Sequence, residues 1–291
     1  MPRDDLARQV PPADFSRRDF VRAAVGSGFA AAVLPVAAQT MIKTDTRGLV
    51  AGEVTVPVGS FKMPAYRAAP EGKRNLPIVL VVSEIFGVHE HIADVARRFA
   101  KQGYLAIAPE LFVRQGDVMQ YGEVSRLMSE VISKVPDAQV MADLDACVAW
   151  AKTQGGDTTR LGMTGFCWGG RIVWLYSAHS SLLQAGVAWY GRLMGPTSAL
   201  QPQHPIDVAG KLHAPVLGLY GAKDQGIPLD SVDRMKAALA QGNAASRASQ
   251  FVVYPDAGHA FHADYRPSYH RDSATDGWNR CLAWLKANEV A

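Results

Sequence analysis

Cysteine is scarce in this chain. Three occur in 291 residues, Cys147, Cys167 and Cys281, and no two of them form a C-x-x-C pair. That excludes a disulfide-framed scaffold and the common zinc ribbons, which need paired cysteines at short spacing. An odd count also leaves at least one thiol free in any compartment. An excess of one charge is missing too. There are 30 Lys and Arg against 27 Asp and Glu, a formal charge of +3, with the basic residues scattered rather than striped. Nothing in that balance points to nucleic acid or to an anionic membrane surface. A membrane-spanning run is absent: Ala23–Val36 is apolar but short and diluted by Ala and Gly. Beyond residue 46 there is no internal repeat, low-complexity tract or Pro-rich linker. Metal-ligand spacing is missing as well. His89 and His91 flank Glu90 at a predicted helix start, but successive residues seldom converge on one ion, and no helix-spaced partner pair is visible. Neither a metal nor a cofactor is expected.

What is present begins with an address. Ser16-Arg17-Arg18-Asp19-Phe20-Val21-Arg22 carries a twin-arginine signature, the apolar stretch follows, and Val36-Ala37-Ala38 before Gln39 suits signal peptidase. The expected organisation is a signal peptide over 1–38, a short linker over 39–46 and one folded domain over 47–291. The expected partner is the twin-arginine export machinery, and the destination is the periplasm or the medium. Gln39, not cysteine, follows the cut, so no stable membrane anchor should remain.

After residue 46 the pattern alternates. Leu49–Val58 and Phe61–Tyr66 read as an N-terminal β-hairpin. Apolar strands are then predicted at 78–82, 104–108, 161–164, 185–189, 216–220 and 251–254. Helices are predicted at 92–102, 118–133, 138–154, 168–178, 229–240 and 274–288. Such alternation implies an α/β fold with a mostly parallel, doubly wound sheet. The stretch 190–212 has little periodicity and reads as a long loop, a candidate wall of a pocket. Cys147 and Cys281 fall on apolar faces of predicted helices and read as buried structural residues.

Cys167 is different. It sits in Gly165-Phe166-Cys167-Trp168-Gly169-Gly170, a G-x-C-x-G between a predicted strand and a predicted helix. A nucleophile on so tight a turn needs small neighbours, and a helix N-terminus favours a thiolate. A lone motif of this kind could equally be a buried cysteine ahead of a helix. Two later strands, however, end in Asp224, on Gly221-Ala222-Lys223-Asp224-Gln225-Gly226, and in His259, on Pro255-Asp256-Ala257-Gly258-His259. Nucleophile, acid and histidine thus follow in the chain order of the α/β-hydrolase fold, each beyond a strand end. The imidazole can take the thiol proton, and the carboxylate can fix its tautomer. Asp256 is a weaker competitor for the acid role, being too close to His259 in sequence. Glu84 lies past the first parallel strand among apolar residues. Trp168, Trp189, Tyr190 and Phe261 fall near strand ends, where they could line an apolar pocket or pack in the core.

Four motifs in order, Glu84-Ile85-Phe86-Gly87, Gly103 through Phe112, Gly165 through Gly170, and Gly258-His259-Ala260-Phe261, resemble the dienelactone hydrolases over about residues 47–288. The resemblance implies a hydrolase of esters or lactones acting through a thioester acyl-enzyme. It implies Cys167 as nucleophile with His259 and Asp224, and Glu84 contacting the resting thiol and helping to activate it. The backbone amides of Ile85 and Trp168 would form the oxyanion hole. Family members that bind a substrate carboxylate use two arginines. One lies four residues after the histidine, where this chain has Ala263, with Arg266 nearby but out of register. Arg126, on a helix before the nucleophile, is the candidate for the other. Tyr190 and Phe261 are candidate substrate contacts. Rival readings are a general carboxylesterase, an acyl transferase, and a non-catalytic binding protein on the same fold.

Overall fold

The computed structural model describes residues 41–291. The twin-arginine motif and the cleavage motif lie outside the described residues. The chain enters with a hairpin of strands β1 (Leu49–Val58) and β2 (Phe61–Pro70), paired antiparallel from Leu49↔Pro70 to Val58↔Phe61. Its burial alternates along β1, as on a sheet edge with one wet face. β2 runs past the expected end at Tyr66. There Arg67 and Ala68 pair with β1 on one side and with Ile107 and Ala106 on the other, so pairing overrides their weak strand propensity.

The parallel strands follow: β3 (Leu76–Val82), β4 (Leu105–Pro109), β5 (Gly156–Phe166), β6 (Leu183–Trp189), β7 (Val216–Gly221) and β8 (Gln250–Tyr254). Residues 78–82 and 105–108 are all buried, as near-continuous apolar runs must be when helices cover both faces. The helices are α1 (Glu90–Lys101), α2 (Val124–Glu130), α3 (Asp137–Thr153), α4 (Trp168–His179), α5 (Pro205–Val208), α6 (Leu229–Ala240), α7 (Ala244–Ala248) and α8 (Arg271–Ala287). Among the described residues, no helix is long and apolar enough to cross a membrane.

Eight strands form one sheet in the order β1-β2-β4-β3-β5-β6-β7-β8. β4 lies on one side of β3 and β5 on the other, so the chain reverses direction across the sheet between β3 and β5. Loops leaving the carboxyl ends of those two strands diverge, which opens the crevice where ligands bind in sheets of this kind. Glu84 follows β3 and Cys167 follows β5, so both stand at that switch point.

Four local departures from the sequence reading have physical causes. The helical stretch expected over 118–133 is broken at Gly122 into a one-turn 3₁₀ segment, α2 and a second 3₁₀ turn. β5 begins earlier than its apolar pattern, because polar Asp157 pairs beside Pro77 before a register shift leads into the buried part. Within the long loop after β6, His204 caps α5: the His204 N–H donates to Asp207 at 2.7 Å, with Pro205 opening the helix. The unpredicted α7 is capped by Asn243, whose Oδ1 accepts from the Ser246 N–H at 2.9 Å.

Candidate active site

The turn between β5 and α4 is strained. Cys167 has φ +55° and ψ −111°, a conformation that side chains avoid. It is held from both sides: its N–H donates to the Trp189 carbonyl at 3.0 Å, and its carbonyl accepts from the Arg171 N–H at 3.3 Å. The flanking glycines are steric necessities. A Cβ on Gly165 would stand 2.3 Å from the Gly169 oxygen, and one on Gly169 would stand 2.4 Å from the Val82 oxygen. The half-buried Cys167 side chain therefore projects at the amino end of α4. There the unpaired first-turn amides favour negative charge.

Asp224 and His259 meet as the sequence order required. Past β7, the buried Asp224 accepts from the Gly226 N–H at 2.8 Å through Oδ1 and bonds His259 Nδ1 at 2.7 Å through Oδ2. The Cys167 thiol is near enough to this ring to act on its charge. Burial opposes a charge on this ring, but the bond to Asp224 and the negative charge of Asp224 and Cys167 outweigh it and push the His259 pKa up to about 10. Asp256, the competing acid, is exposed and pairs with Lys223 at 2.8 Å.

Glu84 lies under the same crevice and is buried. Its Oε2 accepts from the Tyr265 hydroxyl at 2.5 Å. Its Oε1 has no hydrogen-bond partner, and the nearest cation is Arg266, with Nη1 4.0 Å away. Arg266 also lies over the Phe86 ring, at 5.5 Å. Trp168 opens α4, so its backbone N–H has no acceptor within the helix. Its indole rests on Phe112 at 4.7 Å with Nε1 unpartnered. Ile85 is buried beside Glu84.

Tyr190 is fully buried at φ +39°, with its ring 5.2 Å from that of His259 and its hydroxyl unpartnered. Burial first, then the negative charges of Glu84 and Cys167, push its pKa well above the phenol range. Phe261 sits deeper, in an aromatic cluster with Trp189, Tyr190 and Tyr254 at 5.1 to 5.9 Å. Arg126 is not brought to this cluster: it is exposed on α2 and bonded to Glu130 at 3.0 Å. Cys147 and Cys281 are buried and free, and burial raises both thiol pKa values above the usual range.

His91 Nδ1 bonds Asp264 Oδ1 at 3.0 Å, and among the described residues no group of three ligating side chains converges on a metal position. Sequence reasoning missed Asp264 and Tyr265 in the segment Asp264-Tyr265-Arg266, and noted Arg266 only as out of register. Its signal was a run of two charged residues around a tyrosine, five to seven positions after His259, on a loop.

Comparison with known proteins decides the family. A model described as the dienelactone hydrolase family matches residues 63–288. The chain belongs to the dienelactone hydrolase family. A protein of Methylorubrum extorquens, provisionally named carboxymethylenebutenolidase, is 58% identical over 288 residues, covering 99% of this chain and 98% of its own. A protein of Escherichia coli K12 with the same provisional name is 54% identical over 261 residues, covering 89% and 95%. Among solved structures, a provisionally named dienelactone hydrolase of Klebsiella pneumoniae is similar at 58% identity with a TM-score of 0.79, over 82% of this chain and 98% of that one. As a member of this hydrolase family, the chain is an enzyme with the α/β-hydrolase architecture that its sheet already displays.

Proposed function

We propose that this enzyme cleaves an ester or lactone with Cys167 as nucleophile, His259 as general base and acid, and Asp224 as the carboxylate that orients the imidazole. The observation that carries this reading is the placement of His259 between Asp224 Oδ2, at 2.7 Å, and the thiol on a strained elbow. Asp224 holds the imidazole in place and favours its protonated form, which suits a base that takes the thiol proton as the sulfur attacks.

The thiolate attacks the carbonyl carbon, and the resulting oxyanion is received by the backbone N–H groups of Trp168 and Ile85. The intermediate collapses, the C–O bond breaks, and His259 protonates the leaving alkoxide. In a lactone that alcohol stays tethered to the acyl chain. Acylation removes the sulfur's negative charge, which takes one support from the imidazolium. His259 is then a better base for the water that attacks the thioester. The tetrahedral adduct expels the thiolate and releases the carboxylic acid. Tyr190 and Arg266 border the crevice and are the polar groups placed to meet the substrate.

Purified mature protein assayed over aryl esters and lactones, with and without a free carboxylate, tests the reading. Activity should appear with a burst of product, and Cys167→Ala should lower turnover by roughly 10³-fold or more. Intact mass after exposure to a slow ester should show an adduct on the Cys167 peptide. Full activity in Cys167→Ala would end this assignment.

We also propose that residues 1–38 export the folded enzyme through the twin-arginine route, on the strength of Arg17-Arg18 and the Val36-Ala37-Ala38 site. Arg17→Lys with Arg18→Lys should trap precursor inside the cell. An unchanged yield of mature protein outside the cytoplasm would refute it.

A further inference from the structure

We infer that Asp264 is a positioning residue for the loop at residues 84–87, and that residues 41–46, at the entry to the domain, are a strap that fixes it in place. The inference deepens the proposed reaction and rests on it, because Ile85, one of the two oxyanion donors, stands on that loop.

The strap is bonded at alternate residues. The Ile42 N–H donates to Asp264 Oδ2 at 3.3 Å. The Thr44 N–H donates to Asp94 Oδ1 at 2.5 Å, and the Thr44 carbonyl accepts from Arg97 Nε at 2.9 Å. Both carboxylates are buried, and one guanidinium joins them: Arg98 donates through Nε to Asp94 and through Nη2 to Asp264, each at 2.6 Å. The remaining Asp264 oxygen, Oδ1, bonds His91 Nδ1 at 3.0 Å. Lys101 ties the far end of the strap, donating to Asp45 at 2.7 Å and to the Arg47 carbonyl at 2.8 Å. Asp264 thus gathers the strap, α1 and its own loop on one carboxylate.

A buried ion network is costly to desolvate, so stability is a poor account of it and fixed geometry a better one. What it fixes are the next two residues. The Tyr265 hydroxyl donates to Glu84 Oε2 at 2.5 Å, and its ring meets His89 edge-on at 4.7 Å. The Arg266 guanidinium lies over the Phe86 ring at 5.5 Å. These contacts fall on residues 84, 86 and 89, on either side of the Ile85 amide. The stretch belongs to no strand or helix, since β3 ends at Val82 and α1 begins at Glu90. Its backbone is therefore placed by what packs on it. A donor aimed at a developing oxyanion tolerates little error, and a misplacement of about 1 Å can cost roughly 10²-fold in rate.

Proline substitutions in the purified mature protein test this, because each removes one backbone N–H. Ile42→Pro with Thr44→Pro removes both strap donors. Lys43→Pro stiffens the same segment without that loss, since the Lys43 N–H has no hydrogen-bond partner among the described residues. Two readings are taken: amide hydrogen exchange by mass spectrometry, and kcat and KM on the best ester, with kcat referred to active sites counted by the burst. In the paired variant, exchange at residues 264–266 and 84–87 should speed about tenfold while β5 and β6 keep the wild-type rate. Its kcat should fall about tenfold with KM within about threefold, the pattern of a donor misplaced in the transition state alone. Lys43→Pro should stay within about twofold of wild type in both readings.

Faster exchange confined to residues 41–47, or an unchanged kcat in the paired variant, would overturn the inference. So would a raised KM with kcat kept, or a Lys43→Pro enzyme as slow as the paired one. If the paired variant does not fold, Ile42→Pro alone decides, since it leaves Asp94 its bonds to Thr44 and Arg98: exchange at 84–87 should still speed about threefold, and an unchanged rate there would sink the idea. Failure of the hydrolase reading looks different: Cys167→Ala would keep its esterase activity while the exchange rates stood as described.

Discussion

His259 and His262 stand on one loop, three residues apart, and their surroundings drive them in opposite directions. His259 has a carboxylate at 2.7 Å on one nitrogen and the Cys167 thiol near enough to act on its charge, and its pKa rises to about 10. His262 is walled by Phe166, Trp189 and Trp278, its Nδ1 has no partner, and burial drives its pKa well below that of a free imidazole. His89, half-buried with its Nε2 shielded from solvent, is pushed down to about 3 by desolvation and then by the charges of His91 and Arg266. Burial alone makes an imidazole neutral. A proton is kept only where an acceptor of negative charge sits within bonding distance. The same few ångströms of loop thus hold a group poised for proton transfer and a group that acts as an aromatic core residue.

The comparison breaks most severely at Asp224. Asp224→Asn keeps the shape but removes the charge that holds His259 protonated and fixes its tautomer. Turnover on the best ester should fall by roughly 10³- to 10⁴-fold. The His259 ring, followed by its Cε1 proton resonance, should titrate well below the wild-type value of about 10. A ring still protonated at pH 9 in that variant would show that the thiolate alone supports it.

The second break is at the neutral histidines. His89 and His262 stay uncharged in the fold, whereas the unfolded chain titrates near 6.5. Protons therefore favour unfolding below that pH, and stability falls as pH drops. For His89 the loss reaches about 2 kcal/mol by pH 5. His262→Phe, packed beside Phe166 and Trp189, should remove one such proton. The slope of unfolding free energy between pH 6 and 5 should shrink by about 1.4 kcal/mol per pH unit, with turnover at pH 8 within about threefold. Urea midpoints across that range measure it. An unaltered slope would mean that His262 is not held neutral.

How much of this was legible beforehand follows from what each residue depends on. Cys167, Asp224 and His259 announced themselves because each follows a strand in a fixed order, and strands are readable from apolar runs such as 78–82 and 216–220. The glycines of the elbow are equally local. The partner of Glu84 was not legible. Tyr265 lies 181 residues away, and only the docking of its loop on α1, through Asp264 with His91 and Arg98, brings it there. Arg126 misled because a charged residue on a helix of uncertain register carries no information about direction; in the fold it turns to Glu130 on its own helix. The break at Gly122 and the cap at Asn243 were visible as residue types, but their effect on element boundaries depends on neighbouring packing.

The smallest expected effect sharpens the comparison from the alkaline side. His259 is held charged to about pH 10 in the fold and only to about 6.5 in the unfolded chain. Its pairing with Asp224 therefore contributes stability that is fully present below pH 6.5 and is lost as pH rises through 10. The contribution is modest, because the imidazole is 37% exposed and solvent screens the pair. Comparing wild type with Asp224→Asn cancels the other titrating groups. The gap between their urea midpoints should be widest at pH 6.5, narrower at pH 8.5 and nearly closed at pH 10.5. A gap that stays constant across this range would mean that Asp224 stabilises the loop through its bond to the Gly226 N–H, with no share from the charge on His259.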